Sequence, residues 1–271
     1  MNAKRNILPF KGFLKLFYML SFLIAILITV SSIVGLQCRT AIYPTEDLIR
    51  LFLPNDVVNL LIGLPILIGS MVLAWRGKLI GLLSWAGALL FVFYNYTAYV
   101  FAMPLNWVFL LHLLLTTISL YTLIGLIASI DAEAVQQRLS GAVFEKLSGG
   151  VLAGLGALFL LRVIGVFVTA FAGGTALPRT ELAVNISDFL TTPAWVIGGI
   201  LLWRRKVFGY VTGLGLLFQG SMLFIALITF LLLQPILTNA PLAVTDIVVI
   251  FVMGLICFIP FALFVRGVCR T

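Results

Sequence analysis

Charged side chains are scarce in this sequence. Asp, Glu, Lys and Arg make up 10% of its 271 residues, against about 25% in soluble domains. That shortage excludes a sizeable soluble domain. Cysteine occurs three times, as Cys38, Cys257 and Cys269, with no C-x-x-C pair, which argues against a thiol oxidoreductase of the membrane. Histidine occurs once, at His112, so the usual haem and zinc ligand sets cannot be assembled. Neither a cofactor nor a metal is expected. There is no phosphate-binding loop, no H-E-x-x-H and no G-x-S-x-G. No pair of intramembrane aspartates points to a protease, and the seventh apolar run has no lysine for a Schiff base.

What the sequence has instead is apolar length. It is 62% hydrophobic with a mean hydropathy of +1.21, and runs long enough to cross a bilayer recur along it. The pattern predicts an all-α integral membrane protein with spans near 14–36, 56–75, 78–101, 105–130, 150–172, 187–203, 207–234 and 243–265. The first run is longer than the apolar part of a typical signal peptide and no A-x-A site follows, so it is read as a permanent helix.

The formal charge is +8, and the placement of its cations reads as a topology signal rather than a nucleic-acid surface. With the N-terminus inside, 13 of the 17 Lys and Arg residues fall in cytoplasmic segments. The positive-inside rule then places both termini in the cytoplasm. The expected location is a plasma membrane of prokaryotic type. The expected partners are membrane lipids, with a protein partner or a second copy left open.

The stretch "AWRGKLIG" at 74–81 returns as "LWRRKVFG" at 202–209, an offset of 128 (203 − 75). The same offset carries Pro65 onto Pro193, Gly81 onto Gly209, Ser84 onto Thr212 and Gly87 onto Gly215. Looser matches upstream and downstream have offsets of 135 ("TAIYPTE", "TALPRTE") and 137 ("MPL", "APL"). The expectation is two parallel four-helix repeats, 1–130 and 150–271, joined by a cytoplasmic linker at 131–149 with a short amphipathic helix. Trp75, Arg76, Lys78, Trp203, Arg204 and Lys206 are read as interfacial anchors. "PTEDLIRLFLP" (44–54) reads as a separate short surface helix, capped by Thr45 and ended by Pro54.

Repeated interruptions inside the membrane point to where a site would lie. Pro65 and Pro193 are each 10 residues from their Trp, about 15 Å along a helix. Asn95, with Tyr94, and Gln219 extend the small, polar stripes of spans 3 and 7. Those stripes either pack on one another or line a cleft. Arg162 lies in mid-span, where an arginine is costly and has a partner. Asp246 is the expected partner and Asp188 the other available acid. The pair is either structural or an anion site. The matching position of the first half, Leu27, has no charge, so any site is asymmetric. His112 leads a polar stripe with Thr116 and Ser119 and is read as a hydrogen-bonded bundle residue or a proton relay. The leading functional expectation is a permease for a small anionic or amphipathic solute. A non-catalytic membrane subunit or scaffold is the alternative, and an enzyme acting on a lipid or quinone the third. No catalytic residue is assigned.

Overall fold

The computed structural model describes residues 8–270. Lys4 and Arg5 of the charge count lie outside them. The helices run α1 Leu14–Gln37, α2 Arg39–Ile42, α3 Glu46–Val58, α4 Leu64–Trp75, α5 Leu79–Ala102, α6 Trp107–Ser129, α7 Ala132–Leu139, α8 Glu145–Gly173, α9 Arg179–Trp203, α10 Val207–Thr238 and α11 Val244–Arg270. A π-helical turn, Asn59–Gly63, joins α3 to α4. Among the described residues eight helices are long and apolar enough to cross a membrane, the second being the continuous 30-residue stretch Glu46–Trp75.

That stretch corrects one sequence expectation. Residues 44–54 are not a separate surface helix, and Pro54 lies inside α3. Thr45 does cap the helix, its hydroxyl accepting from the Leu48 amide at 3.4 Å. A proline removes a backbone donor and orphans the carbonyl four residues earlier, here that of Arg50. The Gln234 Nε2 of α10 donates to that carbonyl at 3.3 Å. A distant side chain therefore carries the helix through its proline. Two further boundaries move: α8 begins at Glu145 rather than near 150, and α9 begins at Arg179 rather than near 187.

Two helices form the centre. α5 is buried almost end to end and packs against α4, α6, α9 and α10. α10 packs against α3, α5, α7, α9 and α11. They touch where neither has a side chain: a Cβ on Gly87 would collide with the Gly215 carbonyl oxygen. These two glycines are equivalent under the 128 offset. The close approach of α8 and α9 is made the same way, with Gly149 against the backbone of Gly199 and Trp203. Small residues let membrane helices pack backbone to backbone where the solvent is itself apolar.

The two Trp-Arg-x-Lys turns have the same hydrogen bonds, position for position. In the first, the amides of Arg76, Gly77, Lys78 and Gly81 donate to the carbonyls of Val72, Ala74, Leu73 and Lys78. In the second, those of Arg204, Arg205, Lys206 and Gly209 donate to Ile200, Leu202, Leu201 and Lys206. Each pair differs by 128. The left-handed position is Gly77 (φ 74°) in one turn and Arg205 (φ 54°) in the other. Gly81 and Gly209 each lie against the backbone of the preceding helix, at Leu73–Ala74 and Leu201–Leu202. Trp75 and Trp203 are both exposed.

The linker, the second turn and the described residues nearest the two termini gather on one side, the terminal face. Lys11 pairs with Asp131 at 3.4 Å, and Arg205 approaches Glu145 at 3.9 Å. Gln136 of α7 donates to the Arg205 carbonyl at 2.9 Å. Asp131 caps α7, whose Val135 and Leu139 are buried. The connections 38–45, 103–106, 174–178 and 239–243 lie at the other ends of the helices, on the loop face.

Candidate functional site

α3, α5, α8, α9 and α10 leave a cavity of about 300 Å³ between the two halves of the chain. Its wall is mostly apolar: Phe52, Ala98, Phe159, Trp195, Phe224 and Phe230. Its polar groups are fewer and include Arg162, Asp188, Tyr94 and Asn95. A shallower, more polar space of about 420 Å³ adjoins it toward the loop face, lined by Asp47, Arg50, Glu181, Asn185 and Gln234. Arg162, Leu51, Val184 and Phe230 border both spaces. The arrangement is an apolar chamber with a polar vestibule and one arginine at the join.

Arg162 is held from α9. Its Nη1 donates to Asp188 Oδ2 at 3.1 Å, and the Tyr94 hydroxyl of α5 donates to Asp188 Oδ1 at 2.9 Å. The Arg162 side chain is 51% exposed and that of Asp188 15%. A guanidinium has five N–H donors in a planar fork. Asp188 is its one hydrogen-bond partner among the described residues, so most of the fork is unused. Asp188 neutralises the cation, which lowers its cost in an apolar setting, and fixes its position. Asp188 itself is presented by a polar turn of α9. The hydroxyls of Thr191 and Thr192 bond back to carbonyls of Ser187 and Asp188, at 2.8 Å in both cases.

The expected Arg162–Asp246 pair does not form. Asp246 lies in the first turn of α11, exposed, while Asp188 approaches Arg162 from the helix that packs along α8. The other candidates divide. Asn95 lines the chamber, its Nδ2 donating to the Phe91 carbonyl at 3.1 Å. Gln219 lies behind the wall, where its Oε1 accepts from Trp195 Nε1 at 2.6 Å and its Nε2 is buried without a partner. Pro65 faces outward, and neither it nor Pro193 borders the chamber or the vestibule. The π-helical turn Asn59–Gly63 ends two residues before Pro65, which lies in the first turn of α4. His112 borders neither the chamber nor the vestibule. Its Nε2 shares a 3.0 Å hydrogen bond with Ser31 of α1, and its Nδ1 is buried without a partner. Thr116 donates to the His112 carbonyl, and Ser119 is buried.

Sequence reasoning missed a second polar group, built round Asp56. This carboxyl is fully buried and accepts the hydroxyls of Tyr43 on Oδ2 and Tyr99, at 2.8 Å, on Oδ1. Asn59 Nδ2 donates to the Tyr99 hydroxyl at 3.4 Å. Gly35 of α1 leaves the space, since a Cβ there would collide with Asp56 Oδ2. The signal in the sequence was Asp56 itself, an acid at the start of an apolar run. Reading Pro54 as a helix end placed that acid at the membrane edge.

Comparison with known proteins finds no matching family model, no matching curated protein and no matching solved structure. Among the described residues no three His, Cys, Asp or Glu side chains stand together as a metal site.

Proposed function

We propose that this protein is a membrane permease for a small amphipathic anion, with the cleft between its halves as the binding site. The observation that carries the reading is Arg162. It borders the apolar chamber and the polar vestibule alike, with most of its N–H donors unused. An anionic head would lie against the guanidinium, in the bidentate geometry that arginine offers carboxylates and sulfonates. An alkyl or aryl body would fill the space edged by Phe52, Phe159, Phe224 and Phe230. The chamber is at the small end of ligand pockets, which run about 300–1,000 Å³.

In this reading the halves are a parallel repeat related by a pseudo-two-fold axis along the membrane normal, running near the Gly87–Gly215 contact. The matched turns and the meeting of equivalent glycines support it. The terminal face is cytoplasmic, as its cations require under the positive-inside rule. The loop face, and the vestibule with it, then opens to the outside of the plasma membrane. The test is flux. Proteoliposomes loaded with a short alkyl sulfonate, whose charge does not change with pH, should release it faster than empty liposomes. Arg162→Gln should remove most of that excess. Release equal to that of protein-free vesicles would exclude a permease for this class.

A further inference from the structure

The group round Asp56 has no role in the cleft described above, yet it lies directly behind the cleft wall. Phe52 borders the chamber on one side. On the other, its ring packs on Tyr99, with centroids 4.3 Å apart, and its carbonyl lies 3.5 Å from the Tyr99 hydroxyl. Asn55 borders the chamber next to Asp56 in sequence. α3 thus borders the guest space with Phe52 and Asn55 and carries the fully buried Asp56 one turn along from Phe52.

What faces that carboxyl is uncharged. α1 contributes Gly35, the α2–α3 connection Tyr43, the π-helical turn Asn59, and α5 Tyr99 with Tyr96 beside it. α6 contributes His112, which lies against Tyr99 with ring centroids 4.6 Å apart and bonds Ser31. Among the described residues no cation pairs with Asp56. Polar capacity is left over: His112 Nδ1 is buried and has no partner, and the buried Tyr96 hydroxyl lies beside the Ser31 and Ser32 hydroxyls. A buried intramembrane carboxyl without a counter-ion, bonded to tyrosine hydroxyls that in turn pack on a histidine, fits a proton site, since ionisable residues within the membrane mark ion and proton pathways.

We infer that Asp56 is a proton-binding residue and that its protonation is linked to the cleft through Tyr99 and Phe52. With the carboxyl ionised, Tyr43 and Tyr99 each donate to one of its oxygens. When one oxygen takes a proton, the new O–H becomes a donor. A tyrosine hydroxyl that donated to that oxygen must turn to another acceptor. For Tyr99 that acceptor is the carbonyl of Phe52, 3.5 Å away. A proton on Asp56 therefore changes the hydrogen bonding of a residue in the cleft wall, and by linkage a guest in the cleft changes proton affinity at Asp56.

The proton site stands on the geometry alone, whereas the linkage rests on the cleft being a binding site. Two readouts on the full-length protein separate them. The first is the pH-difference infrared spectrum. The wild type should show the carbonyl stretch of a protonated buried carboxyl, and Asp56→Asn should lack it. Tyr99→Phe, which keeps the carboxyl, should shift the band's midpoint and guards against a poorly folded Asp56→Asn. A spectrum with no band lost in Asp56→Asn and no shift in Tyr99→Phe overturns the proton site. The second is the affinity for a short alkyl sulfonate at several pH values. The wild type should change about fivefold or more, the lower end of ordinary coupling, and Asp56→Asn should bind with no pH dependence. Equal pH dependence in both proteins overturns the linkage. A wild type that shows the band but binds no sulfonate overturns the cleft reading and the linkage together, while the proton site holds.

Discussion

At the scale of single residues, Arg162 and Asp188 decide whether the cleft is a site or a structural tie. Removing the arginine alone leaves Asp188 with only the Tyr94 hydroxyl. Arg162→Gln should therefore destabilise the protein by about 1–3 kcal/mol, the usual cost of stranding a charged hydrogen-bonding group. Arg162→Gln combined with Asp188→Asn removes both charges and should recover most of that loss, as a double-mutant cycle in thermal unfolding would show. Ligand binding should not return with the stability. The central glycines make a sharper steric prediction. Gly87→Val places atoms where the Gly215 backbone lies, and overpacking of this kind typically costs about 1–3 kcal/mol or more. Gly154→Val, at a position where an added Cβ would meet nothing within 4 Å, is the matched control and should melt close to wild type.

At the scale of elements, the first long loop-to-helix segment shows how far local reading reaches. Thr45 as an N-cap and Glu46 and Asp47 in the first turn were legible in the sequence, and the cap forms. Pro54 was legible as a breaker, but its lost donor is compensated by Gln234, 184 residues away from Arg50 in sequence, which no local pattern reveals. The misreading of Pro54 then hid Asp56. The compensation is testable. Gln234→Leu should cost about 0.5–1.5 kcal/mol in the wild type, the net worth of a hydrogen bond. It should cost little in Pro54→Ala, where the new backbone amide serves the Arg50 carbonyl. The two turns offer a second test. Gly77→Ala puts a Cβ at a left-handed position and should destabilise by about 1–2 kcal/mol. Arg205→Gly relieves the same strain in the other copy, and its ionic loss among the described residues is a 3.9 Å approach to Glu145. Denaturant unfolding should show opposite signs for the two substitutions.

At the scale of the whole molecule, the apolar runs made eight helices legible, and the helix ends at Trp75 and Trp203 fall where the repeated phrase put them. The partner of Arg162 was legible only as a choice between two acids. Rise per residue fixes depth but not which helix face turns toward which, and the packing of α9 along α8 decided for Asp188. Orientation has a direct test in two natural cysteines. Cys38, at the loop face, and Cys269, near the C-terminal end of α11, are both exposed, whereas Cys257 is buried. A membrane-impermeant thiol reagent should label Cys38 in intact cells and Cys269 only after permeabilisation. The reverse pattern would invert the topology and turn the vestibule toward the cytoplasm.

The proposed permease requires that an amphipathic anion bind at Arg162. The most direct measurement is thermal unfolding of the detergent-solubilised protein with increasing short-chain alkyl sulfonate, beside an uncharged amphiphile of equal length. A specific guest at a hundred times its Kd stabilises by about 2.7 kcal/mol. The account predicts a saturable rise in Tm with the sulfonate, a much smaller one with the uncharged compound, and neither in Arg162→Gln with Asp188→Asn. Equal shifts with both compounds, or a sulfonate shift that survives in the double variant, would contradict it.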